Sequence, residues 1–320
     1  MTDDSASEAG GPDGGEAGAA TTGEGVGAVP DAPGDEGKAA SDAPAAAFDA
    51  AYDELLRRWP EGTRALDVPT RFGSTRVHAC GPEDAPPLVL LPGGGATSMA
   101  WYSVAPELAR THRLYAVDLL GDFGRTVPAG DPLRDADDLA AWLTAVLDGL
   151  GLERTALCGH SYGAWIALNQ ALREPGRFSR LTLLDPIGCF AGLRLPYVLR
   201  ALPMLVRPTP ERVLSFHRWE TGRPPGNPAW AAFLGATARA RRTKVLPARR
   251  PDASALRGCA VPTLVLLAAR SRAHDARKVA GRARALLPGA TVVTVEGAGH
   301  HALPTERAAD VVAALRHSPE

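Results

Sequence analysis

The feature that most constrains this chain is a rhythm of short, uninterrupted apolar runs separated by amphipathic stretches of helical length. Leu88-Val89-Leu90-Leu91 is the first such run, and it stops at Pro92 before Gly93-Gly94-Gly95. Further strands are predicted at 113–117, 154–158, 180–184, 262–268 and 291–295. Helices are predicted near 100–110, at 132–149, 162–174 and 276–287, and near 304–316 to close the chain. Strands that are apolar throughout must be covered on both faces, so the pattern predicts an α/β fold with a mostly parallel, doubly wound sheet. Two β-prone runs around Gly73-Ser74, within 68–80, predict an antiparallel hairpin, and the fold is expected to begin there. The rhythm breaks over 186–258, where prolines, arginines and aromatics (Tyr197, Phe216, Trp219, Trp230, Phe233) punctuate short helical stretches, as expected of an inserted helical cap.

Charge divides the chain. The 320 residues carry 35 basic and 36 acidic side chains, yet residues 1–47 hold ten acids against the single base Lys38. That segment is Gly-, Ala-, Asp- and Glu-rich without apolar periodicity, and it is expected to be a disordered tail. The expected organisation is therefore tail 1–47, core 48–185, cap 186–258 and core 259–320. The body carries a net positive charge, but its arginines lack aromatic interleaving or an RNA-binding signature, so no nucleic-acid partner is expected. No apolar run of about 18 residues is present to span a membrane, and no basic-then-apolar leader opens the chain. A cytoplasmic protein is expected. Cys80, Cys158, Cys189 and Cys259 lack metal-ligand spacing and read as buried thiols. No dinucleotide fingerprint or Walker loop is present, and no cofactor or metal is expected.

In parallel sheets of this kind, ligands bind beyond the carboxyl ends of the strands. Gly93–Thr97, Ser161, Asp185, the 269–275 loop and the 297–301 loop should therefore converge. Among them, Gly159-His160-Ser161-Tyr162-Gly163 is a G-x-S-x-G sequence between a predicted strand and a predicted helix. A sharp strand-to-helix turn there forces the serine into a strained conformation and lifts its hydroxyl above the sheet, while the flanking glycines allow close packing. The following helix offers its N-terminus to an oxyanion.

With this elbow, LLPGGG (90–95), AVDLLGDFGRT (116–126), the cap position and VEGAGHHALPTE (295–306), the chain resembles the α/β-hydrolase superfamily over residues 68–316. Its nearest likeness there is to small carboxylesterase-like serine hydrolases with a helical cap. The resemblance implies that Ser161 is the nucleophile and that His300, after the last strand, is the general base; the adjacent His301 is expected to line the cleft or face solvent. It implies an oxyanion hole from the backbone N–H groups of Gly94 and Tyr162, and places a structural aspartate at Asp118. At the position where relatives commonly carry the triad acid this chain has Ser271, which leaves two candidates. Asp185 ends the 180–184 strand beside the nucleophile, whereas Asp275 could reach back from its loop, although it also reads as a helix N-cap. Trp101, Tyr102 and His160 are expected around the substrate pocket.

The implied activity is hydrolysis of a carboxylic ester, with an apolar group, through an acyl-enzyme on Ser161. Thioesterase, lactonase, carbon–carbon hydrolase and acyltransferase or cyclase chemistry use the same triad. A ligand-binding protein without turnover is the reading from another class. The expected partner is a small ester or thioester.

Overall fold

The computed structural model describes residues 36–240 and 245–317. The strands are β1 (Arg64–Thr70), β2 (Gly73–Cys80), β3 (Pro87–Leu91), β4 (Arg113–Val117), β5 (Val127–Pro128), β6 (Thr155–His160), β7 (Phe178–Leu184), β8 (Thr263–Ala268) and β9 (Thr291–Val295). The α-helices are α1 (Glu36–Leu56), α2 (Ala105–Leu108), α3 (Ala136–Gly149), α4 (Tyr162–Arg173), α5 (Leu195–Val206), α6 (Pro210–Thr221), α7 (Pro228–Thr237), α8 (Ala253–Arg257), α9 (Ala276–Leu286), α10 (Ala302–Glu306) and α11 (Ala308–His317).

Among the described residues the strands form one sheet in the order β1-β2-β4-β3-β6-β7-β8-β9, with β5 paired to β2. The predicted hairpin is present, with Thr70 facing Gly73 across the β1–β2 turn. β2 also runs antiparallel to β4, and from β4 onward every pairing is parallel. The fold is thus the α/β arrangement that the apolar rhythm predicts.

Alternation along β3 divides the core. Val89 and Leu91 join one cluster, with Leu139 and Trp142 of α3, Trp165 of α4 and Val279 of α9. Leu88 and Leu90 join the other, with Tyr52 of α1, Leu108 of α2 and Val311 of α11. Successive side chains of a strand point to opposite faces, so the two clusters lie on the two sides of the sheet.

Three expectations are corrected here. Residues 1–35 of the expected tail lie outside the described residues, but α1 crosses its boundary at 47, and the fold begins before the hairpin. Phe48, Tyr52, Leu55 and Trp59 are buried, and Tyr52 Oη donates to Asp118 Oδ2 over 2.8 Å. Their spacing of four, three and four residues is helical, a signal present in the sequence. The helix expected near 100–110 is instead a 3-10 turn (Ser98–Trp101) followed by α2, because Pro106 lacks the N–H of a helix interior and sits in a first turn. The closing helix is likewise two helices, α10 and α11, separated at Arg307, whose backbone leaves the helical region.

Between β7 and β8 the chain inserts α5 to α8. This segment carries a concentration of exposed apolar side chains, with Leu195 and Val206 each 67% exposed and Leu199 59%. No helix among the described residues is long and apolar enough to cross a membrane.

Candidate active site

The sheet ends β6 at His160 and starts α4 at Tyr162, leaving Ser161 alone to reverse the chain. Its φ of 54° and ψ of −113° lie in a region that a non-glycine residue occupies only under strain. The flanking glycines make that turn possible by sterics. A Cβ on Gly159 would stand 2.2 Å from Gly163 O, and one on Gly163 would stand 2.4 Å from both Leu91 O and Pro92 O. Real Cβ atoms do not approach oxygen so closely, so β3, β6 and α4 can meet at the elbow only with glycine at both positions.

A chain of hydrogen bonds leaves the elbow. Ser161 Oγ is 2.8 Å from His300 Nε2, and His300 Nδ1 is 2.6 Å from Asp185 Oδ2. Asp185 follows β7 with a φ of 41°, the second non-glycine positive φ among the described residues. Its carboxylate also accepts from Ser271 Oγ (2.7 Å) and Ala268 N (3.0 Å), and His274 Nε2 lies 3.2 Å from Oδ1. All of these groups are buried.

The electrostatics follow from these contacts. Burial pushes the Asp185 carboxyl up, but the hydrogen bonds and charges of His274 and His300 outweigh it and hold the group well below the usual carboxylate range. Burial pushes His300 down; the hydrogen bond and charge of Asp185, with a contribution from Glu220, reverse this and raise it above the ordinary imidazole value. His160 is held at about 3 by burial and by His300, and burial keeps His301 far below its ordinary value. At neutral pH those two rings are uncharged, whereas His300 keeps a raised affinity for its proton.

Gly94 packs against Tyr162, where a Cβ would lie 3.4 Å from Tyr162 Cβ. The glycine loop is tied by Gly95 N donating to Asp122 Oδ2 over 2.7 Å. Gly94, Tyr162, His160 and His301 all line a cavity of about 920 Å³. Its remaining wall is mostly apolar and comes largely from the inserted segment, including Tyr197, Val198, Met204, Phe216, Trp230 and Leu234.

Three expected site residues fall elsewhere. Asp275 is an N-cap: its Oδ1 accepts from Lys278 N over 3.0 Å at the start of α9, a hydrogen bond that also lowers its pKa. Trp101 is fully buried in the core, and Tyr102 leans toward Trp230 with its hydroxyl donating to Thr305 O; neither reaches the cavity wall. Asp118 is structural, accepting from Ser98, Arg125 N and Tyr52 Oη. The residues missed from sequence are His274, Tyr197 and Glu220; Glu220 accepts from the backbone N–H of His300 and His301. A single Glu on a helix carries no sequence signal that separates it from a solvated one.

Asp185, His274 and His300 place ligand-type atoms within 4.8 Å of one another. The 2.6 Å bond already joining two of them fits a histidine–carboxylate network, with His274 Nε2 a second imidazole contact 3.2 Å from the same acid.

A strained serine held by flanking glycines between the end of a strand and the start of a helix is the nucleophile elbow of α/β hydrolases. Residues 88–315 match the alpha/beta hydrolase family, and the chain belongs to it. It is similar to the uncharacterized carboxylesterase nap of Bacillus subtilis (strain 168), 30% identical over 268 residues that cover 78% of this chain and 84% of that protein. Carboxylesterase YbfK of the same strain is 40% identical over 143 residues, 45% of this chain; the match spans only 48% of that protein's length. The crystal structure of naproxen esterase (carboxylesterase NP) from Bacillus subtilis superposes with a TM-score of 0.79 at 28% identity, covering 85% of this chain and 97% of that one.

Proposed function

We propose that the protein is a serine carboxylesterase whose nucleophile is Ser161, general base His300 and orienting acid Asp185. The observation that carries this reading is the continuous bond series Ser161 Oγ–His300 Nε2–Asp185 Oδ2 on a strained elbow. Ser161 Oγ attacks the ester carbonyl carbon while its proton passes to His300 Nε2. The carbonyl oxygen becomes an oxyanion held by the backbone N–H groups of Gly94 and Tyr162, the latter at a helix N-terminus that favours negative charge. Collapse of the tetrahedral intermediate breaks the bond to the alcohol, which leaves with the proton from His300. Water, deprotonated by the same imidazole, attacks the acyl-enzyme, and the acid departs as Ser161 regains its proton. Asp185 holds the imidazole in the productive tautomer and favours the imidazolium that forms. His160 supports the base from the side, its Nε2–H donating to His300 O over 3.0 Å.

The inserted segment 186–258 acts as the cap. Its apolar wall favours an ester with a sizeable hydrophobic acyl or alcohol group, since a cavity of about 920 Å³ admits a drug-sized molecule. The four free cysteines suit the reducing cytoplasm, where we place the enzyme.

The test is fluorophosphonate labelling with mass-spectrometric site mapping, alongside hydrolysis of p-nitrophenyl esters of increasing chain length. Rapid labelling at Ser161 with turnover that Ser161→Ala abolishes is the expected result. Full activity in that variant rejects the mechanism, and an unlabelled Ser161 without turnover favours a protein that binds its ligand without reacting with it.

A further inference from the structure

Glu220 closes the α6 helix of the inserted segment, far in sequence from every residue of the bond series, yet its side chain is 2% exposed. Its Oε1 accepts from His300 N over 2.8 Å, and its Oε2 from His301 N over 3.0 Å. One carboxylate thus grips two consecutive N–H groups of the loop that carries the base. Burying a carboxylate is costly, and burial, with the Asp185 charge, raises the Glu220 pKa above its ordinary value; the His300 charge and the two backbone bonds offset only part of this. Gly299 brings the loop against this turn, where a Cβ would be 3.4 Å from Glu220 O. Two further contacts join the insertion to the same region. Tyr197 Oη lies 3.3 Å from His301 Nε2, and Arg223 Nε donates to Glu306 on α10 over 2.9 Å.

We infer that Glu220 is a positioning residue for the base: its carboxylate holds the 297–301 loop so that His300 stays on Ser161, and its negative charge favours the imidazolium formed during attack. This rests on the reading of Ser161 and His300 given above and adds the insertion's part in it. The cap is then both a substrate wall and the outer support of the base.

The charge argument depends on what surrounds His300. Asp185 faces it from the tip of β7 and His160 from β6, with ring centroids 4.8 Å apart. His301 is also at 4.8 Å, Tyr197 of α5 at 6.3 Å and His274 at 6.4 Å. Burial keeps His160 and His301 neutral and Tyr197 protonated. The negative charges facing His300 are therefore the carboxylates of Asp185 and Glu220. Asp185 meets the ring edge, whereas Glu220 meets the backbone and so can be altered without touching the ring's own hydrogen bonds.

The experiment measures the pH dependence of fluorophosphonate labelling at Ser161 in the full chain for wild type, Glu220→Gln and Glu220→Asp. Labelling reads the protonation of the base without knowledge of the substrate. Removing the charge in E220Q should move the midpoint of the acidic limb to lower pH by roughly one pH unit and slow the plateau rate by about tenfold or more. E220D keeps the charge but is one methylene too short to reach both N–H groups, so it should keep the wild-type midpoint at a lower plateau. A rate loss in E220Q with the midpoint unmoved is what mere structural support would give, and it overturns the inference. If E220Q does not fold, E220D labelling at the full wild-type rate overturns it instead. An unlabelled wild type rejects the esterase reading, whereas a labelled wild type with an unmoved midpoint in E220Q rejects only the role of Glu220.

Discussion

The hydroxyl of Ser271 donates to Asp185 Oδ2 over 2.7 Å, on the same oxygen that accepts from His300 Nδ1. The loop after β8 therefore supports a carboxylate supplied by the neighbouring strand. Asp185 in turn leaves no lone task to either oxygen, since Oδ1 meets Ala268 N and His274. Such a fully engaged acid keeps one orientation, which is what a tautomer-fixing group requires.

Asp185→Asn should lower kcat by about four orders of magnitude, because the amide favours the wrong imidazole tautomer. Asp275→Ala should leave kcat unchanged and cost about 1 kcal/mol of stability through loss of an N-cap. Steady-state kinetics and urea unfolding on the two variants separate the roles, and a large kcat loss in Asp275→Ala would reverse the assignment. Ser271→Ala removes one donor and should reduce kcat/KM roughly tenfold.

Strain at the elbow should be measurable. Glycine tolerates the φ of 54° at position 161 without the Cβ clash, so Ser161→Gly should be inactive yet more stable than Ser161→Ala by about 1 kcal/mol. Equal chemical-denaturation midpoints for the two variants would contradict a strained nucleophile.

Gly163→Ala brings a methyl group to 2.4 Å from Leu91 O and Pro92 O. The strand and helix must part to admit it, so we expect a loss of several kcal/mol, or no soluble protein, by comparison with typical overpacking costs of ~1–3 kcal/mol. Gly176→Ala, with open space around its Cβ position, is the control and should change stability little.

Two pH dependences follow from the buried histidines. In the mechanism proposed above His300 must be neutral to take the serine proton, and its pKa is raised, so kcat/KM should climb on the alkaline side of the ordinary imidazole value of 6.5. His78 and His217 are held at about 4, and His160 at about 3, chiefly by burial. Between pH 6.5 and those values the unfolded chain binds protons that the folded chain does not, so stability should fall as pH drops through that window. For each such histidine the loss is about 1.4 kcal/mol for every pH unit crossed inside the window. Urea midpoints that stay constant from pH 7 to pH 5 would contradict this.

The sheet was legible because continuous apolar runs have one solution, burial on both faces. The elbow was legible because G-x-S-x-G between strand and helix states a steric requirement that only glycine meets. The helix α1 was also written in the spacing of Phe48, Tyr52, Leu55 and Trp59, although the Ala- and acid-rich composition just before it points to a tail. Asp275 illustrates the limit, since an aspartate four residues past a strand-end serine serves equally well as triad acid or N-cap on paper.

Local sequence, through hydrophobic period and the steric demands of glycine, determined the parallel sheet, the position of Ser161 and the chain order that brings His300 after it. Tertiary structure alone decided that Asp185 supplies the carboxylate nearest His300, that Trp101 and Tyr102 turn into the core, and that Glu220 reaches the His300 loop from the insertion. The physical reason is range. Backbone conformation and burial periodicity are set within a few residues, whereas side-chain hydrogen bonds to groups 80 to 115 positions away exist only once the strand tips and the insertion have met.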